Sequence, residues 1–443
     1  MAPKKKSDGG IDVTIKSLGT AKIPTALPYS HFVHDNEPLP FVLTEEEVDE
    51  IEPGKTLTLS LEKAGPREFL YFDTSKTKCA IVTCGGLCPG INDVIRAIVM
   101  TAHHNYHVAS VQGIRFGLQG FIPCFGHDVM ELTPKNVSEI HQFGGTILGS
   151  SRGHQPPEDI VDALERMNIN CLFMIGGDGT MRAAAKVVDE IAKRNLRIAV
   201  IGVPKTIDND INFVTQSFGF DTAVEKATEA IQSAHTEAVG VNNGVGVVKL
   251  MGRESGFIAA QATLALKEVN FVLVPEAPFQ FDGEHGLLAA LEARLRSRHH
   301  AVVVVAEGAG QDHCQISHEK DASGNPVLCD VSTLLISRIK EHCKARQMDA
   351  TVKFIDPSYI IRSVPANAND RVYCGFLGQN AVHAAMAGKT GMVVSRLLSR
   401  YVHLPLDLVT RKRKKLNIQS DYWRSVLEST GQEIYIDPQK CPV

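Results

Sequence analysis

No apolar run in this 443-residue chain approaches the roughly 20 residues that a membrane-spanning helix needs. The formal net charge is only −4, which gives no overall pull toward nucleic acid or a membrane surface. The chain lacks a signal-peptide pattern, and its ten cysteines show no paired CxxC framework, so it reads as a soluble, cytoplasmic protein with reduced thiols. It ends in CPV rather than a peroxisomal tripeptide, nothing repeats at solenoid spacing, and no GxGxxG dinucleotide fingerprint is placed. What is present is ordinary globular composition, 44% hydrophobic and 22% charged, in a chain long enough for two or three domains. Partners are therefore expected to be read by a site rather than by a field.

Two features take a bland reading. Cys84 and Cys88 are four apart beside glycines, but nothing supplies further metal ligands, so they read as small buried fillers. The basic runs Lys4–Lys6 and RKRKK (411–415) read as solvated, flexible stretches in preference to localisation or polyanion-binding signals.

Residues 1–76 mix prolines, polar stretches and the acidic patch TEEEVDEIEPG, and read as an N-terminal arm or small appendage without a strong core strand. From KCAIVTCGG onward the pattern changes. Short runs rich in Val and Ile end in glycines or polar loops and are followed by helical patterns, the rhythm of βα units and a parallel sheet. The polar clusters fall at the carboxyl ends of the expected strands, where open α/β sheets bind ligands.

Three of these clusters carry chemistry. GGLCPGIND (85–93) sits between a strand and a helix, so its glycines allow close backbone approach to an anion that the helix amino terminus also favours. A plain strand-to-helix turn would choose the same residues. IGGDGT (175–180) repeats the setting with Asp178 added. That residue reads either as an N-cap or turn residue, or as a carboxylate that tolerates a phosphate because magnesium lies between them. In PKTIDND (204–210), Asp208 and Asp210 would point to one side of an extended segment with Asn209 turned away. One could then accept a proton while the other orients the hydroxyl, with Lys205 as a point charge for a phosphoryl group; an Asx-turn loop is the alternative. Arg253, Arg362 and Glu307 stand at other strand ends, where arginines suit an anionic substrate and a lone carboxylate suits hydroxyl donors.

Taken in order, GGLCPGIND, GTILGSSRG, GGDGT, PKTIDND, GFDTA, MGRESG, EGAG and PSYIIRS resemble 6-phosphofructokinases over about residues 78 to 400. The N-terminal extension and Lys205 are similar to the ATP-using branch of plants and protists that is related to the pyrophosphate-dependent enzymes. The resemblance implies transfer of the γ-phosphoryl group of ATP to the 1-hydroxyl of fructose 6-phosphate, with Mg2+ as cofactor. It implies an ATP site of Gly85, Arg152, Gly153, Gly177, Asp178, Gly179 and Thr180, with Asp178 next to the metal. It also implies Asp208 as general base, assisted by Lys205, Asp210 and Arg253. The implied sugar-phosphate site comprises Thr206, Ile207, Asp208, Met251, Gly252, Arg253, Glu307, Tyr359 and Arg362.

Two departures qualify the match. Gly179 stands where pyrophosphate users carry a second aspartate that blocks the nucleotide, whereas Lys205 is typical of pyrophosphate users; the steric argument decides for ATP. Gly244 replaces an arginine that bacterial enzymes lend across subunits, which puts that cross-subunit contact and bacterial-type allostery in doubt. Pyrophosphate-dependent transfer and a non-catalytic nucleotide-sensing homologue are the alternatives, and GGDGT by itself also occurs in NAD and lipid kinases. The expected architecture is α/β, two mainly parallel sheets flanked by helices with the active site in the cleft. An ATP domain would cover 77–218 and about 371–399, and a sugar domain 219–370 and 400–443. A homotetramer or homodimer is implied.

Overall fold

The computed structural model describes residues 11–44, 55–314, 319 and 326–432. The acidic stretch 45–54, the Lys4–Lys6 run and the last eleven residues lie outside them. The chain divides into two compact units: residues 1–207, 211–219 and 362–414 form the first, and 208–210, 220–361 and 415–443 the second.

The first unit is built on a nine-stranded sheet with a parallel centre and antiparallel flanks. Its centre consists of β6 (Lys78–Thr83), β7 (Ser110–Ile114), β9 (Cys171–Gly176), β10 (Ala199–Pro204) and β16 (Met392–Leu397), all parallel. Almost every residue of β9 and β10 is buried, as expected of strands covered on both faces. On one face Leu172, Met174 and Val200 pack with residues of α2 (Pro157–Arg166) and α3 (Asp178–Lys193). The helices α1 (Ile91–Met100) and α9 (Ala368–Met386) pack closely together, because Gly378 carries no Cβ to meet Ala97. Antiparallel strands flank the centre: β8 (Val129–Glu131) on one side, and β17 (Arg400–Pro405), β4 (Thr56–Lys63) and β3 (Leu39–Thr44) on the other.

The described part of the N-terminal region is thus no appendage. In TLTLSLEK of β4 the leucines alternate inward, and Leu43, Leu59 and Leu61 are fully buried. Further on, β1 (Lys16–Ser17) pairs with β15 (Lys389–Thr390), and β2 (Ile23–Pro24) with β5 (Phe69–Leu70). A charge cluster, buried apart from Asp35, adds to the seam. Arg67 binds Asp35 (2.8 Å) and Glu62 (3.1 Å), Lys389 binds the same two carboxylates (2.6 and 3.0 Å), and His403 Nδ1 lies 2.8 Å from Glu62.

The second unit has a four-stranded parallel sheet, β12-β13-β11-β14, made of β11 (Gly244–Leu250), β12 (Phe271–Leu273), β13 (His300–Ala306) and β14 (Thr351–Ile355). Val245, Val247, Val303 and Val305 face α6 (Leu287–Arg298) and α7 (Val331–Ala345). The opposite face carries α4 (Phe220–Val239) and α5 (Phe257–Leu266), with α4 so close that a Cβ on Gly246 would lie 2.7 Å from the Ala234 carbonyl oxygen. A C-terminal helix, α11 (Asp421–Thr430), packs on α5, where Tyr422 donates to Gln261.

The observed boundaries differ from the expected ones for clear reasons. Residues 400–414 belong to the first unit because β17 pairs with β16 and β4, and only 415 onward joins the second. The first unit also resumes at Arg362, earlier than expected, while 208–210 belong to the second. Two further corrections follow. RKRKK is not a solvated run: Lys414 Nζ donates to the carbonyls of Val214 (2.7 Å) and Thr215 (3.1 Å). The thiols are not all reduced, since Cys314 and Cys329 are bonded; Cys84 and Cys88 are buried thiols, as expected of fillers.

Candidate functional site

The first unit brings three turns together at the carboxyl ends of three neighbouring strands, the corner expected to bind phosphate. Registers Thr83↔Ile175 and Pro204↔Gly176 align the ends of β6, β9 and β10, so the turns after them meet. The Gly85 turn has φ +84°, and its carbonyl accepts from Ser150 Oγ (2.6 Å) while its N–H reaches Ser151 O (3.3 Å). Lys205, 5% exposed, donates from Nζ to the Gly86 carbonyl (2.6 Å). A Cβ on Gly86 would lie 3.5 Å from Arg362 Nη1 and 4.0 Å from Arg152 Nη2. The structure therefore brings together Gly85, Arg152, Lys205 and also Arg362, which the sequence had grouped with the sugar-phosphate residues. Gly153 lies in the same loop as Arg152, with φ +103°.

Gly177 is the N-cap of α3 and Asp178 its first residue, so the N-cap reading of Asp178 is set aside. Asp178 sits at the positive end of the helix, its side chain 9% exposed, with Arg182 Nη2 at 2.9 Å and Arg413 Nε at 3.7 Å from Oδ2. Thr180 is buried against Gly176, where a Cβ would fall 2.2 Å from its Oγ1. Gly179 is the opposite case: no heavy atom lies within 4 Å of the Cβ it lacks. Burial pushes the Cys84 thiol up to about 12 against the opposing charge of Lys205, which leaves it protonated and unreactive.

Thr206 and Ile207 end the first unit's stretch; the Thr206 carbonyl accepts from Ser217 Oγ (2.6 Å) and Ile207 is buried. The segment beyond is not extended. Asn209 is left-handed, φ +56°, so the chain turns there and the alternation expected for Asp208 and Asp210 does not hold.

In the second unit, the acceptor candidates sit at the ends of β11 and β13, whose register Leu250↔Ala306 sets Met251 beside Glu307. The two loops are knitted by Glu307 N–H to Leu250 O (2.9 Å) and Gly308 N–H to Gly252 O (3.1 Å). Glycine is required at 308, where a Cβ would meet the Arg253 carbonyl at 1.9 Å, and suits 252, where φ is +131°. Ser255 Oγ from this loop donates to the Asp208 carbonyl (3.1 Å), which ties the acidic segment to MGRESG. Arg253 donates to the Pro326 carbonyl, and Tyr359 is 74% exposed. At Gly244 a Cβ would lie 2.1 Å from Ala238 O, so no arginine fits there.

Sequence reasoning missed Arg182 and Arg413. The first has a legible signal, the i,i+4 spacing from Asp178. The second has none, since 235 residues of chain separate it from its partner.

Comparison with known proteins fits this geometry. The Phosphofructokinase family profile matches residues 78–385. The ATP-dependent 6-phosphofructokinase of Borreliella burgdorferi is 49% identical over 96% of this chain and 97% of its own. That of Trypanosoma cruzi is 44% identical over 90% and 81%. Among solved structures, the pyrophosphate-dependent phosphofructokinase of Marinobacter aquaeolei shares the fold at TM-score 0.65 and 22% identity, over 82% of this chain and 93% of that one. Profile, relatives and strand-end glycine loops agree, and the chain belongs to the phosphofructokinase family.

Proposed function

We propose that this chain transfers the γ-phosphoryl group of ATP to the 1-hydroxyl of fructose 6-phosphate, giving fructose 1,6-bisphosphate and ADP. The observation that carries the reading is the identity of nearly half with the Borreliella ATP-dependent enzyme across almost the full length of both chains. The geometry supports it: the donor residues lie on one strand edge of the first unit, and the acceptor residues other than Thr206, Ile207 and Arg362 on the second.

Phosphoryl transfer needs alignment, charge neutralisation and a proton acceptor more than covalent chemistry from the protein. The Asp208 carboxylate takes the proton of the 1-hydroxyl as that oxygen attacks the γ-phosphorus and the bond to the β-phosphate oxygen breaks. Asp210 orients the hydroxyl, and Ser255 holds the backbone of Asp208 in place. Lys205 and Arg152 offset the developing negative charge beside the Gly85–Gly86 turn. Arg253 and Arg362 meet the 6-phosphate, Glu307 accepts from a sugar hydroxyl, and Met251, Gly252 and Tyr359 shape the sugar pocket.

The donor corner fits a magnesium ion. Asp178 offers one carboxylate at a helix amino terminus, and no group of three or more His, Cys, Asp or Glu suited to a metal occurs among the described residues. That donor set suits an ion held by one carboxylate, phosphate oxygens and water. Asp178 would hold it, and when bound it neutralises the donor's phosphate oxygens.

Lys205 is the feature shared with pyrophosphate users by resemblance, but its contact with Gly86 braces the turn whichever donor is bound. Incubating the purified chain with fructose 6-phosphate and ATP and following phosphorus NMR tests the proposal. A new 1-phosphate resonance is expected; its absence with ATP would overturn the reading.

A further inference from the structure

The RKRKK run is built into the donor corner. Arg413 forms an antiparallel bridge with Ile211, and Lys414 ties the next position to the carbonyls of Val214 and Thr215. Its backbone is therefore held on both sides. The Arg413 side chain, 25% exposed, ends with Nε 3.7 Å from Asp178 Oδ2, while Arg182 approaches the same oxygen at 2.9 Å. Two guanidiniums thus face one carboxylate at the amino terminus of α3.

Arg182 makes the shorter contact with Asp178, and Arg413 stands beside it at the longer one. We infer that Arg413 is a donor-phosphate residue, a guanidinium that meets the polyphosphate next to Asp178 and offsets the repulsion between that carboxylate and the incoming anion. The inference rests on the donor-site reading and deepens it. A guanidinium presents a planar fork of N–H donors suited to phosphate oxygens, and one held by its backbone loses little freedom on binding. The electrostatics have a consequence that separates this role from a structural one. Magnesium neutralises part of the polyphosphate, so loss of Arg413 falls harder on metal-free nucleotide than on the magnesium complex.

Calorimetric titration of the full chain with ADP, in EDTA and in excess magnesium, tests this in the native protein and in Arg413→Met, with thermal midpoints measured alongside. Removal of a charged hydrogen bond is expected to weaken metal-free ADP about tenfold or more, to weaken magnesium–ADP clearly less, and to leave fructose 6-phosphate affinity unchanged. Arg413→Gln, which keeps a donor amide without the charge, is the second variant should Met prevent folding, and the same order of losses is expected. Equal affinity of variant and native protein for metal-free ADP would overturn the inference. So would equal losses for both forms of ADP with a lowered midpoint. If native protein fails to bind magnesium–ADP, the donor-site reading itself falls.

Discussion

Asp208 and Gly179 do different work, and each can be tested without disturbing the fold. Ser255 holds the main-chain carbonyl of Asp208, so Asp208→Asn keeps that backbone contact and removes the base. Turnover is expected to fall by about 10²- to 10⁴-fold, the usual range for a general base, while fructose 6-phosphate still binds by calorimetry. Unchanged kcat would remove Asp208 from the role. Gly179 has open space where its Cβ would stand and opens no left-handed turn, so an aspartate there strains nothing in the protein. Any loss of ATP use in Gly179→Asp with an unchanged unfolding midpoint therefore reports on the ligand's space. At this scale the sequence was most legible where glycine spacing forces a turn, as at Gly85 and Gly177. It was least legible where a partner comes from far along the chain, as Arg413 does for Asp178, and where one left-handed residue, Asn209, breaks an assumed extended segment.

Among the elements, β4 best shows how a strand can escape a sequence reading. Its leucines alternate with threonines and a serine, a half-buried pattern less conspicuous than the Val-rich runs of β11 and β13 or the continuous apolar run of β9. The parallel βα core was visible because fully buried strands are hydrophobic throughout. The antiparallel flank was not, because β17 and β4 come from opposite ends of the chain and only tertiary pairing joins them. Two consequences are measurable. Leu59→Ala, at a site with no exposure, is expected to cost about 2–5 kcal/mol by chemical denaturation of the full chain. Lys389→Met, which strips one cation from Glu62 and Asp35 while Arg67 and His403 still pair with Glu62, is expected to cost about 1.5–3 kcal/mol, the range for a lost charged hydrogen bond. Near-native stability in either variant would return the N-terminal segment to the status of a loose arm.

For the molecule as a whole, the same seam sets the response to acid. Burial alone would raise the Glu62 pKa, but the His403 hydrogen bond and the charges of His403, Lys389 and Arg67 bring it down to about 2. Burial lowers His383 to about 4 and also lowers His403, so both rings favour the neutral form at neutral pH. All three groups have depressed values, so the folded state binds fewer protons than the unfolded one and stability falls with pH. The His383 contribution is present above pH 6.5 and is lost as pH falls toward 4; that of Glu62 is present above 4.5 and is lost toward 2. Thermal midpoints should thus be steady above about pH 7 and decline in two stages below it, and His383→Gln should flatten the upper stage. A single decline confined to pH below 4 would contradict the assignment.

The choice of donor is read from steady-state kcat/KM with fructose 6-phosphate and either ATP or pyrophosphate, in native protein and Gly179→Asp. Native protein is expected to prefer ATP, and the aspartate to lower kcat/KM for ATP far more than for pyrophosphate. A native preference for pyrophosphate would contradict the ATP reading.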